Sequence, residues 1–305
     1  MTSDPRAPDA SAAALDDDDD DADAGADAGT DREQSTHREV VSFVRRGERL
    51  TQGRQNAWDR LSPTYVVDPP RGHRDTVPAA GTRLDLAEVF GRRAEIVVEV
   101  GSGTGENIVA AALAHPERDH LGVEVYLPGL AQTLSRVERS GSPENLRMLP
   151  LDAQRALPAL LGEGSIDQLW VYFADPWPKQ RHHKRRLINP PFLDAVLPLL
   201  ADGATFRLAT DWAQYAHHMR SLLDARPELA LLHPEGPRPE GRSSDAIPPN
   251  MPTTGWAPRF EGRVKTGFES KGRAAGRLIW DLAYTRGPRR PVPDGTSDIE
   301  GPTGP

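Results

Sequence analysis

The chain has 305 residues and no cysteine, which excludes disulfides, cysteine-ligated zinc and a thiol nucleophile. Its formal net charge is −8, but residues 1–35 hold twelve acids against Arg6 and Arg32, a net of −10, so the remainder sums to +2. Residues 1–38, rich in Ala, Asp and Gly, cannot bury enough apolar surface to offset their ordering entropy and are expected to form a disordered acidic tail. Such a tail either aids solubility or shields a basic groove. The N-terminus has neither the basic flank nor the apolar stretch of a signal peptide, and no segment reaches membrane-spanning length. A cytoplasmic protein without a membrane partner is therefore expected. No internal repeat of solenoid-like period is found.

Residues 39–286 read as one folded domain, and residues 287–305, rich in Pro and Gly, as a second disordered tail. Residues 96–100 are short and β-branched, and Gly101-Ser102-Gly103-Thr104-Gly105 follows directly. Residues 107–114 read as a helix, 121–125 as the next strand, and 128–139 as a helix with proline in its opening turn. A third strand over 146–151 ends at Asp152, and 154–161 form a short helix. The fourth strand takes 166–174, a helix 191–200 and the fifth strand 205–210; Tyr215, Met219, Leu222 and Leu223 then recur at helical spacing. Residues 229–232 and 278–284 supply two later strands, with no helix expected between them. Residues 234–258 are instead a Pro-rich connection, of a length that is either functional or mobile. Strand–helix alternation predicts an α/β fold: a doubly wound, mostly parallel sheet with its site at the carboxyl ends of the strands.

Gly101, Gly103 and Gly105 let backbone N–H groups approach a ligand closely where the first strand turns into a helix. A dinucleotide fingerprint needs its third glycine at 106, where Glu106 stands and would repel a pyrophosphate, so a nicotinamide dehydrogenase is disfavoured. Glu99, two residues before the turn, suits a cationic ligand instead. S-adenosylmethionine, with its α-ammonium and sulfonium, is such a ligand. Glu124 closes the second strand 19 residues after Gly105, placed to accept hydrogen bonds from ribose hydroxyls. Asp152 is placed for the exocyclic amine of adenine. One acid at a strand end is ordinarily just solvated; acids ending four successive strands beside a glycine turn point to a nucleoside cofactor.

Residues 173–187 read FADPWPKQRHHKRRL. Asp175 ends the fourth strand, Pro176 and Pro178 bracket Trp177, and Arg181, His182, His183, Lys184, Arg185 and Arg186 follow. A charge run is usually a solvated face. Its place directly after a pocket acid favours a phosphate-binding strip. Trp177 is either a flat wall for a flipped base or a residue packed under the loop. His182 and His183 lack the partners of a metal site, so no metal is expected.

The segments SFVRRGERLTQGRQNAWD, EVGSGTG, FADPWPKQRHHKRR, ATDW and TGFESKGRAAGRLIWDLAY, in that order, resemble the bacterial tRNA (guanine-N7-)-methyltransferase family over residues 42–284. The resemblance implies a Rossmann-like class I methyltransferase fold, seven strands with one antiparallel strand near the C-terminus. It also implies methyl transfer from S-adenosylmethionine to N7 of the guanosine at position 46 of the tRNA variable loop, by a monomer or homodimer. Carried over residue by residue, Glu99, Gly101, Gly103, Gly105, Glu124, Asp152 and Asp175 contact the cofactor, and Asp175 is also the catalytic acid. Lys179, Asp211, Thr266, Gly267, Phe268 and Glu269 contact substrate. Arg181, His182, His183, Lys184, Arg185 and Arg186 meet RNA, with Arg45 and Arg46 as a second clamp. The family often carries lysine where this chain has Gly267, with Lys265 and Lys271 close by. Phe268 either stacks on the base or joins the core, whereas Trp280 and Leu282 are expected in the core.

The chemistry suits these residue types. Guanine N7 has a lone pair and no proton, so attack on a sulfonium methyl needs positioning and a dry pocket rather than an obligatory base. A fixed carboxylate favours the cationic product. It cannot donate to N7, which places Asp175 or Asp211 against the N1–H and 2-amino edge. An amino-group methyltransferase acting on DNA is the nearest rival. Trp177 between two prolines and the lack of a target-recognition domain argue against it.

Overall fold

Ile96–Val100 (β1) is buried along its whole length, as a mainly apolar run in the middle of a parallel sheet should be, and Glu99 is the one charged residue within it. It pairs in parallel with Asp119–Val123 (β2) on one side and Ile166–Tyr172 (β4) on the other. Leu146–Leu149 (β3) extends the sheet beyond β2, and Leu200–Thr210 (β5) extends it beyond β4, both in parallel. Trp280–Arg286 (β7) then runs antiparallel between β5 and Leu229–Leu231 (β6). The order β3-β2-β1-β4-β5-β7-β6 gives the seven strands and the antiparallel C-terminal strand expected for a class I methyltransferase. Strand order reverses between β1 and β4, so the crevice over their carboxyl ends is the natural ligand site. The computed structural model describes residues 50–289; the acidic tail, residues 290–305 and the Arg45–Arg46 clamp lie outside the described residues.

Alternation along β1 divides the core. Val98 and Val100 face a large cluster completed by Ala153–Leu160 (α5), Pro190–Val196 (α6) and Ala213–Asp224 (α7). Val97 faces the other way, toward Ala111 of Glu106–Ala114 (α3), Trp170 and Tyr172. On that side Ile108 and Val109 also pack against Leu130, Leu134 and Val137 of Leu127–Arg139 (α4) and Tyr65 of Gln52–Tyr65 (α1). The short Leu86–Phe90 (α2) is capped by the Asp85 side chain.

Two departures from the expected elements stand out. β5 begins at Leu200 rather than 205, because the pairing with β4 shifts register between Ile166 and Gln168 and carries the strand through the turn-like Asp202-Gly203. A helix that was not expected, Gly267–Ala274 (α8), lies between β6 and β7. Two glycines and few apolar residues hid it, but Thr266 caps it by accepting from the Glu269 N–H at 3.2 Å, and T-x-x-E is a helix-start signature. The Pro-rich connection, left open as functional or mobile, is anchored to the core. Trp256 is buried and packs edge-on against Trp280 at 4.8 Å, and Arg220 donates to the carbonyls of Thr254 (3.1 Å) and Gly255 (2.9 Å). Asp245 accepts from Ala213 N–H at 2.6 Å and so caps α7. Trp280 and Leu282 are in the core as expected. Among the described residues no helix is long and apolar enough to cross a membrane.

Candidate active site

Gly101, Gly103 and Gly105 all adopt positive φ in the turn from β1 to α3. At Gly105 two requirements coincide: φ is +72°, and an added Cβ would lie 2.4 Å from Thr133 of α4. The turn is therefore compressed against α4, and the Gly103 carbonyl would meet any Cβ at Gly129 at 2.7 Å.

Around this turn the carboxyl ends of the parallel strands present the expected acids. Glu99 is buried within β1; Asn107 donates to its Oε1 at 3.3 Å, and its Oε2 has no partner. Burial pushes the Glu99 carboxyl up to about 8; the Asn107 hydrogen bond opposes the rise and the charge of Glu124 adds to it. Glu124 accepts from Gly103 N–H at 2.9 Å through one oxygen and from Tyr126 N–H at 2.8 Å through the other, which fixes it beside the glycine turn. Asp152 is buried and caps α5, accepting from Gln154 N–H at 3.0 Å. Asp175 is exposed on the loop after β4. That loop is strained on both sides of it, since Phe173 and Trp177 have φ of 55° and 43°. Asp211 follows β5, the neighbouring strand, and its Oδ2 accepts from Arg277 at 2.7 Å.

The basic hexad is not a uniform strip. Gln180–Arg185 forms a 3-10 helix, in which side chains three apart share a face. Arg181 and Lys184 point to solvent, as does Lys179 before the helix. His182 and Arg185 turn onto Trp177, the imidazole edge-on at 5.9 Å and the guanidinium 5.0 Å from the ring centroid. Partial desolvation and the charges of Arg185, Arg181, Lys179 and Lys184 hold His182 below its ordinary value, so it is neutral at pH 7 and accepts from Arg181 Nε at 3.3 Å. His183 and Arg186 face inward. His183 Nε2 is buried, and Arg186 is only 2% exposed. That burial sets Arg186, expected at the RNA with the rest of the run, apart from the outward cations.

On the far wall, Thr266 caps α8 and Gly267 N–H donates to Glu106 Oε2 at 2.7 Å, tying α8 to the helix that leaves the glycine turn. Phe268 is 60% exposed with Lys271 Nζ 6.0 Å from its ring centroid, so it is not a core residue. Glu269 is 1% exposed, and Arg259, Arg263 and Arg273 surround its carboxylate at 3.0–3.5 Å. Burial raises its pKa, but the Arg259 and Arg273 hydrogen bonds and the Arg263 charge outweigh that and hold it below the usual value. Glu269, expected among the substrate contacts, has its side chain committed to arginines, and it braces α8.

Comparison with known proteins decides the family. A family profile described as "Putative methyltransferase" matches residues 93–282. A tRNA (guanine-N(7)-)-methyltransferase of Cutibacterium acnes is 45% identical over 82% of this chain and 84% of its own. Proteins of the same name from Paenarthrobacter aurescens and Alkalilimnicola ehrlichii are 41% and 40% identical, over 81% and 86% of this chain and 91% and 96% of theirs. The chain belongs to the tRNA (guanine-N7-)-methyltransferase family.

Several residues that build this family site were not singled out from the sequence. Asn107 joins the two walls: its Nδ2 donates to Glu99 while its Oδ1 accepts from Val264 N–H at 3.1 Å. Arg263, 1% exposed, pairs with Asp281 at 2.6 Å and lies over the rings of Tyr172 (5.2 Å) and Phe173 (5.4 Å). Gly272 matters for a steric reason, because a Cβ there would fall 2.6 Å from Asp211 Oδ2, so α8 rests directly on that carboxylate. None of these roles leaves a local signal; each needs the three-dimensional neighbour. At Gly267 an added Cβ would meet only Glu106, at 3.8 Å.

Proposed function

We propose that this chain transfers a methyl group from S-adenosylmethionine to N7 of guanosine in tRNA, at position 46 of the variable loop, in the cytoplasm. The observation that carries the proposal is Glu99. A buried carboxylate with one unpartnered oxygen, beside a glycine turn, lacks a cation, and an α-ammonium supplies one. The other cofactor residues fit the same ligand. Glu124 retains acceptor capacity on both oxygens for ribose hydroxyls after taking two backbone N–H bonds, and Asp152 stands at the neighbouring strand end.

When bound, S-adenosylmethionine supplies an electrophilic methyl carried on a sulfonium. Transfer would join the N7 lone pair to that methyl carbon while the sulfur–carbon bond breaks and its electron pair returns to sulfur. No proton moves, and positive charge passes to the guanine imidazole ring. The protein therefore acts by placement and electrostatics. Asp175 projects from a strained turn whose backbone is held by its own packing, and a fixed anion there favours the cationic purine. Trp177 and the exposed ring of Phe268 offer apolar faces for an extruded base. Lys179, Arg181 and Lys184 are the outward cations next to Asp175, positioned to neutralise tRNA phosphates.

Replacing Arg181 and Lys184 together by alanine is expected to weaken tRNA binding and to lower the slope of log K against log salt by about 1.5, from ~0.7–0.9 per lost phosphate contact. Cofactor affinity should stay the same. A titration at several salt concentrations measures both; a collapse of cofactor affinity with an unchanged slope would assign these cations a structural role. Position is tested by borohydride–aniline cleavage of tRNA treated with the enzyme and donor. Scission at the variable-loop guanosine is expected, and scission elsewhere would refute the assignment.

A further inference from the structure

Arg186 is a buried cation with no counter-ion: among the described residues it forms no ion pair. Its Nε donates to the Pro176 carbonyl at 2.8 Å, its Nη2 reaches Gln214 Oε1 at 3.4 Å, and its guanidinium lies 5.1 Å from the Tyr215 ring centroid. Tyr215 is itself fully buried and accepts from Ile188 N–H at 3.1 Å, so the guanidinium packs on a rigid surface. A buried charge without a counter-ion is costly to fold, and the shortest hydrogen bond it makes here is to one backbone carbonyl. That carbonyl belongs to the residue between Asp175 and Trp177. Trp177 precedes a proline, which disfavours helical backbone, and yet has φ of 43°, a conformation that persists only where neighbours enforce it. Two successive arginines at the end of the 3-10 helix hold this loop, Arg185 on the Trp177 ring and Arg186 on the Pro176 carbonyl.

We propose that Arg186 is a positioning residue for methyl transfer, whose buried guanidinium locks the Asp175-Pro176-Trp177-Pro178 turn in its strained form and thereby aims Asp175 and Trp177 at the base. The proposal rests on the assignment of Asp175 to the reaction. It separates Arg186 from the phosphate-binding cations that precede it in the sequence.

The test uses the full chain, tRNA and labelled donor. Arg186→Met is expected to lower kcat by about 100-fold, the loss typical of a misplaced reacting geometry. Dissociation constants for tRNA and donor should stay within about twofold, and the salt slope of tRNA binding should not change, since no phosphate contact is removed. In Arg186→Ala, millimolar guanidinium should restore part of kcat, and the same additive should do nothing for Asp175→Ala. A flattened salt slope with kcat retained at saturating tRNA would overturn the proposal and make Arg186 a phosphate contact. If both variants fail to fold, Arg186→Lys decides: it keeps the charge but not the planar fork, so kcat should still fall about tenfold with unchanged tRNA affinity. An unchanged kcat in that variant overturns the proposal. Full activity in Asp175→Ala would instead remove the assignment on which the proposal stands, whatever the Arg186 variants do.

Discussion

Asp175→Ala is expected to abolish methyl transfer, with kcat lower by roughly a thousandfold, the upper range for removing one electrostatic stabiliser of a transition state. The side chain is exposed on a loop, so its loss should change unfolding free energy by no more than about 0.5 kcal/mol. Both sides of the residue are held by strained backbone at Phe173 and Trp177, and the Pro176 carbonyl is pinned by Arg186. The turn should therefore keep its shape without the carboxylate. Single-turnover kinetics at saturating tRNA and donor separate the chemical step from binding. Unchanged turnover would show that Asp175 is a bystander.

Glu99→Gln should weaken donor binding by about 100-fold, because a buried cation that loses its only carboxylate partner forfeits several kcal/mol. Wild-type binding should also depend on pH in a definite direction. The free carboxyl titrates near 8, while the ligand's ammonium needs the ionised form. Binding below pH 8 must then release a proton, and affinity should fall by up to about tenfold per unit as pH drops from 7.5 toward 6. The donor's own α-amine is already mostly protonated at the top of that window, so it offsets only a small part of the fall. Calorimetry in buffers of different ionisation enthalpy reads the released proton directly, and Glu99→Gln should abolish it.

Stability runs the other way. With the folded value near 8 and an ordinary carboxylate value of 4.5 when unfolded, the folded state holds the extra proton between those limits. Its stability therefore falls as pH rises through that window. Above pH 8 Glu99→Gln should be more stable than wild type while binding donor less well. A donor affinity independent of pH in the wild type would contradict the role given to Glu99.

Legibility in the sequence followed burial. β1 was readable as a short β-branched run buried along its length, and Glu99, Glu124 and Asp152 stood out as acids within or just beyond the carboxyl ends of mainly apolar strand runs. The glycine turn was readable because positive φ and close packing on Thr133 both require glycine. What failed was the direction of charged side chains. Arg186 and Arg181 look alike in a basic run, and only the threefold repeat of a 3-10 helix sends one inward and the other to solvent. Glu269 likewise looks like a surface acid until Arg259, Arg263 and Arg273 converge on it from different segments. α8 escaped a search for apolar periodicity because it buries only Glu269 and Gly272; its T-x-x-E start was the available sign.

The most direct measurement is nucleoside mass spectrometry of tRNA incubated with the full chain and methyl-labelled S-adenosylmethionine, run beside Asp175→Ala. The expected result is labelled N7-methylguanosine with the wild type and none with the variant. Label on any other nucleoside, or equal label from both proteins, would contradict a site in which strand-end carboxylates hold a cationic methyl donor against guanine N7.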